Sequence, residues 1–169
     1  MAVIASLVLG ADGSSTLLGT SDAVTTPLDR ARFLVRRRQS DAILIGGNTA
    51  RHERYQRTPV PLVIISHTRP ALLDQNLKAH WWSLSPVEAV ARARWEFGDN
   101  LSVEGGMAMI SELLDAGAIS QLKLSITAHV GGENKIDYLD LLARFEKIET
   151  EELEGTIFHT CTFPVTTQK

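Results

Sequence analysis

Short apolar runs alternate with helix-like segments along this chain of 169 residues. The runs are rich in aliphatic residues, as buried strands are, and they lie at Val3 to Leu9, Ala42 to Ile45, Leu62 to Ile65, His80 to Leu84, Leu101 to Val103 and Leu122 to Ala128. Strands that alternate with helices form βαβ units, whose strands are parallel. The pattern therefore predicts an α/β fold with a mainly parallel central sheet flanked by helices.

The helix-like segments begin and end with recognisable capping residues. Thr26-Pro27 gives an N-cap and a first-turn proline to the segment LDRARFLVRRRQ, and Ser85-Pro86-Val87-Glu88 is a capping box that opens a second helix. A third helix is predicted from Gly106 to Ala116, ended by Gly117. The first helix has one apolar face, formed by Leu28, Ala31, Leu34 and Val35.

The last part of the chain leaves the alternating pattern for two extended segments. Phe145 to Glu152 and Thr156 to Phe163 are separated by Leu153-Glu154-Gly155, which predicts an antiparallel hairpin on the edge of the sheet. A homodimer formed through sheet edges or faces is favoured by three apolar residues of this hairpin, Ile157, Phe158 and Phe163.

Two pairs of glycines join an apolar strand to the start of a helix. The first pair is Gly46-Gly47, followed by Asn48 and Thr49, and the second is Gly105-Gly106, followed by Met107. A helix start presents backbone N–H groups without intrahelical partners, and glycine leaves room for an anion to approach them. One such turn is commonly plain turn chemistry. Two of them at the carboxyl ends of parallel strands suggest a dinucleotide site.

Composition and charge narrow the class of partner. The net charge of −3 and the pI of about 5.9 argue against general nucleic-acid binding, which requires a strong positive field. No apolar run is long enough to span a membrane. The single cysteine, Cys161, excludes an intrachain disulfide and fits a reducing cytoplasm. We therefore expect a cytoplasmic protein of one domain, residues 1–169, that binds small molecules.

The sequence lacks the usual signatures of metal and nucleophilic catalysis. Its five histidines show no metal-ligand spacing, and there is no Gly-x-Ser-x-Gly or P-loop pattern. No metal site is predicted. A bound cofactor must then supply the difficult step, and nicotinamide hydride transfer suits a site that only has to align donor and acceptor.

Two carboxylates stand at the ends of predicted strands. Asp12 follows the first strand, and its Asp-Gly pair is either a plain turn or a contact to a substrate. Glu104 ends a buried strand, where an isolated charge is unfavourable. Glu104 is therefore expected to be paired or to contact a ligand.

Two groups of arginines have different interpretations. Arg51, Arg54 and Arg57 recur at a spacing of three and would lie along one side of a helix, most simply as a solvated basic face. Arg51 is nevertheless within reach of the first glycine turn, where an extra phosphate on an adenosine ribose would need a guanidinium. The run Arg36-Arg37-Arg38 ends a helix, where cations offset the helix dipole and need no ligand.

Three blocks of the sequence match a known pattern. They are Asp12-Gly13, then Ser40-Asp41-Ala42-Ile43-Leu44-Ile45-Gly46-Gly47-Asn48-Thr49, and then Val103-Glu104-Gly105-Gly106 with the helix and strand that lead to Gly131. In this order they resemble the reductase domain of riboflavin biosynthesis, a family related to dihydrofolate reductase in fold. The resemblance covers most of the chain. It implies a dihydrofolate reductase-like fold and the reduction of a ribosylamino-pyrimidine phosphate to its ribitylamino product by NADPH.

The glycine turns and the resemblance together assign residues to the site. The residues expected to hold NADPH are Gly46, Gly47, Asn48, Thr49, Arg51, Glu53, Gly105, Gly106 and Met107. The residues expected to border the substrate are Asp12, Thr25 and Glu104. Either Asp12, as the catalytic residue, or a bound water would manage the proton.

The sequence also departs from the family pattern. Gly10 stands where a serine is usual, Ser14 stands where a basic residue is common, and Glu53 to Thr58 replaces the D-x-P-x-L-T-x-R segment that serves the substrate's phosphate. One alternative is dihydrofolate reductase itself, in which Asp29 would engage the pteridine. A second alternative is a non-catalytic nucleotide-binding relative. Because no deaminase-like zinc domain precedes the matched blocks, the chain is expected to be a stand-alone reductase.

Overall fold

The computed structural model of the protein describes residues 2–165, which contain an eight-stranded sheet. In chain order the strands are β1 (Ala2–Gly10), β2 (Ala42–Gly46), β3 (Leu62–Ile65), β4 (Ala79–Trp82), β5 (Asn100–Val103), β6 (Gln121–Thr127), β7 (Phe145–Leu153) and β8 (Thr156–Pro164). Their order in the sheet is β4-β3-β2-β5-β1-β6-β8-β7. Neighbours from β4 to β6 are parallel, whereas β8 is antiparallel to β6 and β7. The predicted fold class is confirmed.

The α-helices of the described residues are α1 (Pro27–Gln39), α2 (Gly47–His52), α3 (Pro86–Glu96), α4 (Met107–Asp115) and α5 (Tyr138–Leu142). The predicted starts of α1 and α3 are confirmed. The Thr26 side chain accepts a hydrogen bond from the Asp29 backbone N–H, and Ser85 and Glu88 form the reciprocal capping box. Gly117 follows α4 with a φ of +66°, the left-handed conformation that commonly ends a helix.

The apolar face predicted for α1 does not pack into the core, so that prediction is wrong. The buried residues of α1 are Asp29 and Arg37, whereas Val35 is 49% exposed. The reason lies in the sheet beneath the helix. Strand residues alternate between faces, and the face toward α1 carries small polar residues such as Ser6 and Ser102 in place of aliphatic ones. This helix therefore covers a polar hollow instead of a hydrophobic layer.

The main hydrophobic core lies on the opposite face of the sheet. There, aliphatic residues of the central strands pack against α3 and α4, and the fully buried members include Leu9, Leu101, Leu122, Ile110 and Leu113. A smaller cluster on the α1 face is formed by residues of β2 and β3 together with Tyr55 and Leu72. One face of the sheet thus packs the main core, and the other borders the polar hollow beneath α1.

The C-terminal hairpin forms at the sheet edge, as predicted. Its turn residues Glu154 and Gly155 both have positive φ, which suits a tight hairpin turn. Phe158 is buried within the chain under the Arg32 guanidinium, 4.1 Å from the ring centroid, whereas Phe163 is 63% exposed. The predicted homodimer remains a prediction, and Phe158 no longer supports it.

Three further expectations concern the chain as a whole. Cys161 is a buried strand residue, and burial raises the pKa of its thiol to about 11. Among residues 2–165, no helix is long and apolar enough to cross a membrane. The predicted single domain, 1–169, includes residues 1 and 166–169, which lie outside the described part of the chain, and it remains a prediction.

Candidate active site

A cleft of about 940 Å³ lies where the carboxyl ends of β1, β2 and β5 meet. Parallel sheets bind ligands at this edge because helix N-termini and connecting loops converge there. One wall is α1, and a second contains the two glycine turns. The predicted site residues that line this cleft are Thr25, Gly46, Gly47, Asn48, Thr49, Glu53, Glu104, Gly105, Gly106 and Met107. Asp12 and Arg51 were predicted for the site but do not line it.

The turn before α4 leaves helix N–H groups facing the cleft. Gly106 is the N-cap and has no side chain to cap the helix. The first intrahelical bond is donated by Ile110 to the Gly106 carbonyl, at 3.2 Å. A Cβ added to Gly106 would meet no atom within 4 Å. An anionic group of a dinucleotide fits this open, uncapped helix start.

The turn before α2 is more crowded on its outer side. A Cβ on Gly46 would meet nothing, but one on Gly47 would lie 2.8 Å from the Ser66 Cβ and 3.4 Å from Arg51 Nη1. Arg51 therefore lies beside this turn but outside the cleft. Because α2 ends at His52, the helix expected to align Arg54 and Arg57 with Arg51 does not form, and that prediction is wrong.

Glu104 belongs to a buried ion-pair cluster. Its side chain is 2% exposed and accepts hydrogen bonds from Arg37 Nη2 at 2.7 Å and from Arg37 Nε at 3.0 Å. Tyr55 donates its hydroxyl to Glu104 Oε2 at 2.8 Å, and Ser102 donates to Oε1 at 3.0 Å. The Arg37 guanidinium lies between two rings, 4.3 Å from that of Phe33 and 4.6 Å from that of Tyr55.

These contacts satisfy a charge that would otherwise be unstable in the interior. Burial raises the pKa of the Tyr55 phenol, and the charge of Glu104 raises it further, so Tyr55 remains a hydrogen-bond donor. For Arg37, burial lowers the pKa, but the hydrogen bond and charge of Glu104 outweigh it and raise the pKa overall. The interpretation of Arg37 as only a dipole-offsetting cation is wrong, because it is the partner of Glu104.

Asp12 holds two loops together. Its Oδ1 accepts hydrogen bonds from the Ser14 hydroxyl at 2.6 Å and the Ser14 N–H at 3.1 Å, and its Oδ2 accepts one from the Gly131 N–H at 2.8 Å. Lys135, which lines the cleft, lies 3.3 Å away. The Ser14 and Gly131 hydrogen bonds hold the pKa of Asp12 well below its usual range. Asp12 is therefore ionised at neutral pH. Its catalytic role remains a prediction, and its contacts favour a role in positioning the two loops and Lys135.

Sequence reasoning left Asp29 out of the preferred site. This carboxylate is 5% exposed, lines the cleft and accepts a hydrogen bond on Oδ2 from the Thr25 hydroxyl at 2.6 Å. Its Oδ1 accepts no hydrogen bond from residues 2–165. In the sequence, Asp29 has the pattern of an ordinary acidic residue in the first turn of a helix, and only its burial in the structure distinguishes it.

A mainly parallel sheet with glycine turns and a ligand-sized cleft at its strand ends is the arrangement in which α/β proteins bind ligands at that edge. The family model of the RibD C-terminal domain matches residues 1–153. The chain belongs to the RibD C-terminal domain family, which confirms the resemblance. A comparison with curated proteins finds no match.

Solved structures share this fold. A pyrimidine reductase-like protein from Corynebacterium diphtheriae is 18% identical, with a TM-score of 0.67 over 95% of this chain and 91% of that one. A diaminohydroxyphosphoribosylaminopyrimidine deaminase/5-amino-6-(5-phosphoribosylamino)uracil reductase from Thermotoga maritima is 17% identical, with a TM-score of 0.70 over 95% and 56%. RibD from Acinetobacter baumannii is 15% identical, with a TM-score of 0.66 over 95% and 57%. This chain thus spans little more than half of the last two.

Removing the Arg37 charge should destabilise the protein strongly. Arg37→Gln leaves Glu104 buried without its ionic partner, and breaking a buried pair from one side typically costs about 3–5 kcal/mol. Arg38→Gln, an exposed change on the next residue, should stay within about 0.5 kcal/mol of the parent. Urea unfolding at pH 7 measures both. Equal stability of the two variants would show that the ion pair does not hold the site together.

The stabilising effect of Asp12 should depend on pH. Because its pKa is lower in the folded state than the usual 3.8, the ionised carboxylate stabilises the fold above that value. The contribution is lost as the pH falls through the folded-state pKa. Asp12→Asn should therefore be less stable than the parent at pH 6, and the gap should narrow at pH 3. A gap of the same size at both pH values in urea unfolding would contradict this assignment.

Proposed function

We propose that this protein is an NADPH-dependent reductase that converts a ribosylamino-pyrimidine phosphate to its ribitylamino product in riboflavin biosynthesis. The observation that carries the proposal is the open, uncapped start of α4 at Gly106, inside the cleft of a RibD C-terminal domain. Family membership supports the pyrimidine reductase activity, and the similar structures from C. diphtheriae and T. maritima carry names of the same kind.

The cofactor assignment rests on the two glycine turns. The Gly105-Gly106 turn would hold the pyrophosphate of NADPH against the α4 N–H groups, and Gly46 to Thr49 would border the adenosine side. Arg51 lies beside Gly47, where its guanidinium is available to an extra phosphate on the ribose. When bound, NADPH supplies a hydride. The residues of this chain then have only to bind, orient and exclude water.

The substrate would lie between α1 and the strand ends. Thr25 and Glu104 line this part of the cleft, and Glu53 fixes the facing loop by accepting a hydrogen bond from the Ser21 N–H at 2.8 Å. Both oxygens of Glu104 are occupied by Arg37, Ser102 and Tyr55, so Glu104 shapes the cleft more than it contacts a ligand. Asp12 positions Lys135 at the rim, and a water is then the simpler proton donor.

A second candidate function is reduction of a dihydropterin, as in dihydrofolate reductase. The observation that favours it is the buried Asp29 carboxylate, which lines the cleft and would accept N–H donors from a heterocycle. We place it second because the RibD C-terminal domain model matches most of the chain. In either case we propose a cytoplasmic homodimer whose partners are small heterocyclic molecules and not nucleic acid or membrane.

The purified protein should consume NADPH when 5-amino-6-(5-phosphoribosylamino)uracil is supplied and should be slow or inert with dihydrofolate. The loss of NADPH absorbance measures both reactions. NADH should bind on the order of tenfold more weakly, because a charge-assisted contact from Arg51 contributes about 1.5–3 kcal/mol. Faster turnover of dihydrofolate would establish the second candidate function instead.

Two variants test the part of this prediction that concerns Arg51. Arg51→Gln should bring the affinities for NADPH and NADH close together, whereas Arg57→Gln, an exposed change outside the cleft, should leave the preference intact. Calorimetry on the apoprotein measures both. An unchanged preference in Arg51→Gln would remove Arg51 from the cofactor site.

Gly106→Val should prevent cofactor binding without unfolding the protein. The valine side chain would enter the open space before α4, and we expect NADPH affinity to fall about a hundredfold or more, equivalent to losing two charge-assisted hydrogen bonds. Native φ at Gly106 is −68°, so backbone strain is not a reason for the effect. Gly106→Ala should bind better than Gly106→Val because its side chain is smaller.

Circular dichroism and cooperative unfolding provide the control for these glycine variants. Both variants should retain the parent spectrum, since the α4 residues Ile110 and Leu114 still pack in the core. Parent-like NADPH affinity in a folded Gly106→Val protein would show that this turn does not bind the cofactor.

A further inference from the structure

One arginine that lines the cleft lacks a carboxylate at ion-pair distance. Five arginines and lysines that line it have a carboxylate within 4.0 Å, in the pairs Arg30–Asp22, Arg37–Glu104, Arg54–Asp22, Lys135–Asp12 and Arg144–Asp115. Arg36 also lines the cleft, and in residues 2–165 no carboxylate lies within 4.0 Å of its guanidinium. Arg36 is therefore the unpaired cation of this wall.

The charges of Asp29 and Glu104 act on Arg36 from beyond ion-pair distance, whereas Arg32 and Lys123 add positive charge nearby. Arg36 is partly buried, and the one hydrogen bond of its guanidinium within residues 2–165 runs from Nε to the Ser6 hydroxyl, at 3.3 Å. Lys123 is the register partner of Ser6 on the neighbouring strand, so a second cation stands beside the first. Burial lowers the pKa of Arg36. A partly buried guanidinium that lacks a counter-ion is less stable than one that has one, and an anionic ligand would supply it.

Arg36 and Asp29 place opposite charges at two points along the α1 wall of the cleft. Asp29 and Arg36 are seven residues apart, so they lie on the same face of the helix, separated by about 10 Å along its axis. Both line the cleft, one with a carboxylate and the other with a guanidinium. A ligand that fits both has hydrogen-bond donors at one end and an anionic group at the other.

Other segments supply no free cation for that anionic group. Between Glu53 and Thr58, Arg54 is 4.0 Å from Asp22, and Arg57 is exposed and does not line the cleft. Thr58 is buried and accepts a hydrogen bond from Asn76 at 3.1 Å. The charged and polar side chains of this segment are thus paired, buried or outside the cleft, and none of them is placed to bind the anionic group.

We propose that Arg36 binds the anionic group of the substrate, the phosphate of the ribosylamino-pyrimidine. This proposal rests on the proposed function for the identity of the substrate, but not for the anion site. Arg36 would act by a charge-assisted hydrogen bond to a phosphate oxygen and would fix the end of the substrate that does not react.

A second cavity on the other side of α1 offers a different place for an anion. It measures about 560 Å³, and Arg36, Lys123 and Arg32 all border it. Two of these three cations, however, already have a carboxylate partner or neighbour, because Arg32 is paired with Glu151 at 2.8 Å and the charge of Glu149 acts on Lys123. The cleft is therefore the better anion site. Lys123 borders the second cavity but not the cleft, so a variant at Lys123 distinguishes the two.

The anion site can be tested without turnover. Inorganic phosphate should raise the thermal midpoint of the parent protein, of Lys123→Gln and of Arg38→Gln, an exposed neighbour with the same charge change. In Arg36→Gln the shift should be lost, and in Arg36→Lys it should be partly retained. Loss of the shift in Lys123→Gln as well would place the anion in the second cavity and overturn the proposal. A shift retained in Arg36→Gln would also overturn it.

Steady-state kinetics tests the assignment of that anion to the substrate. Arg36→Gln should raise KM for the phosphorylated pyrimidine about tenfold or more and leave KM for its dephosphorylated form nearly unchanged. Equal effects on both forms would overturn the assignment. If no variant reduces either pyrimidine but phosphate still stabilises all except Arg36→Gln, then the proposed function fails and the anion site stands.

Discussion

The ion pair between Arg37 and Glu104 is the constraint on which the cleft depends. Glu104 directly precedes the Gly105-Gly106 turn, Arg37 lies on α1, and Tyr55 follows α2, so one buried carboxylate connects three walls. A charge at this depth is tolerated only when its partners are in place together. The walls are therefore fixed relative to each other before any ligand arrives, and the ordering of side chains does not have to accompany binding.

The sheet supports this cluster by having two unlike faces. Aliphatic residues cover the face toward α3 and α4, whereas small hydroxyl residues such as Ser6 and Ser102 occupy the face toward α1. Small side chains leave space under the helix, and their hydroxyls bond to charged groups above them. This arrangement explains why α1 buries Asp29 and Arg37 while Val35 faces solvent. Apolar burial stabilises one side of the molecule, and hydrogen bonding organises the other.

Most of the fold was predictable because its determinants are local. Capping residues, turn glycines and short aliphatic runs act within a few positions, and each was visible in the sequence. The glycine turns of the site were visible for the same reason. The charged cluster was not, since Arg37 and Glu104 are 67 residues apart and Arg36, Arg37 and Arg38 look alike in sequence. Only the rotation of α1 against the sheet makes Arg36 a cleft residue, Arg37 a buried ion-pair partner and Arg38 a solvated cation.

The division between the two faces also bears on how such a protein can diverge. The charged side chains that line the cleft, such as Asp29 and Arg36, do not belong to the main core, so their replacement leaves the aliphatic layer intact. The fold itself persists at low sequence similarity, as the 15–18% identity to structures of the same fold illustrates. A polar hollow beneath one helix is, in this sense, a region in which new substrate preferences can arise without loss of foldability.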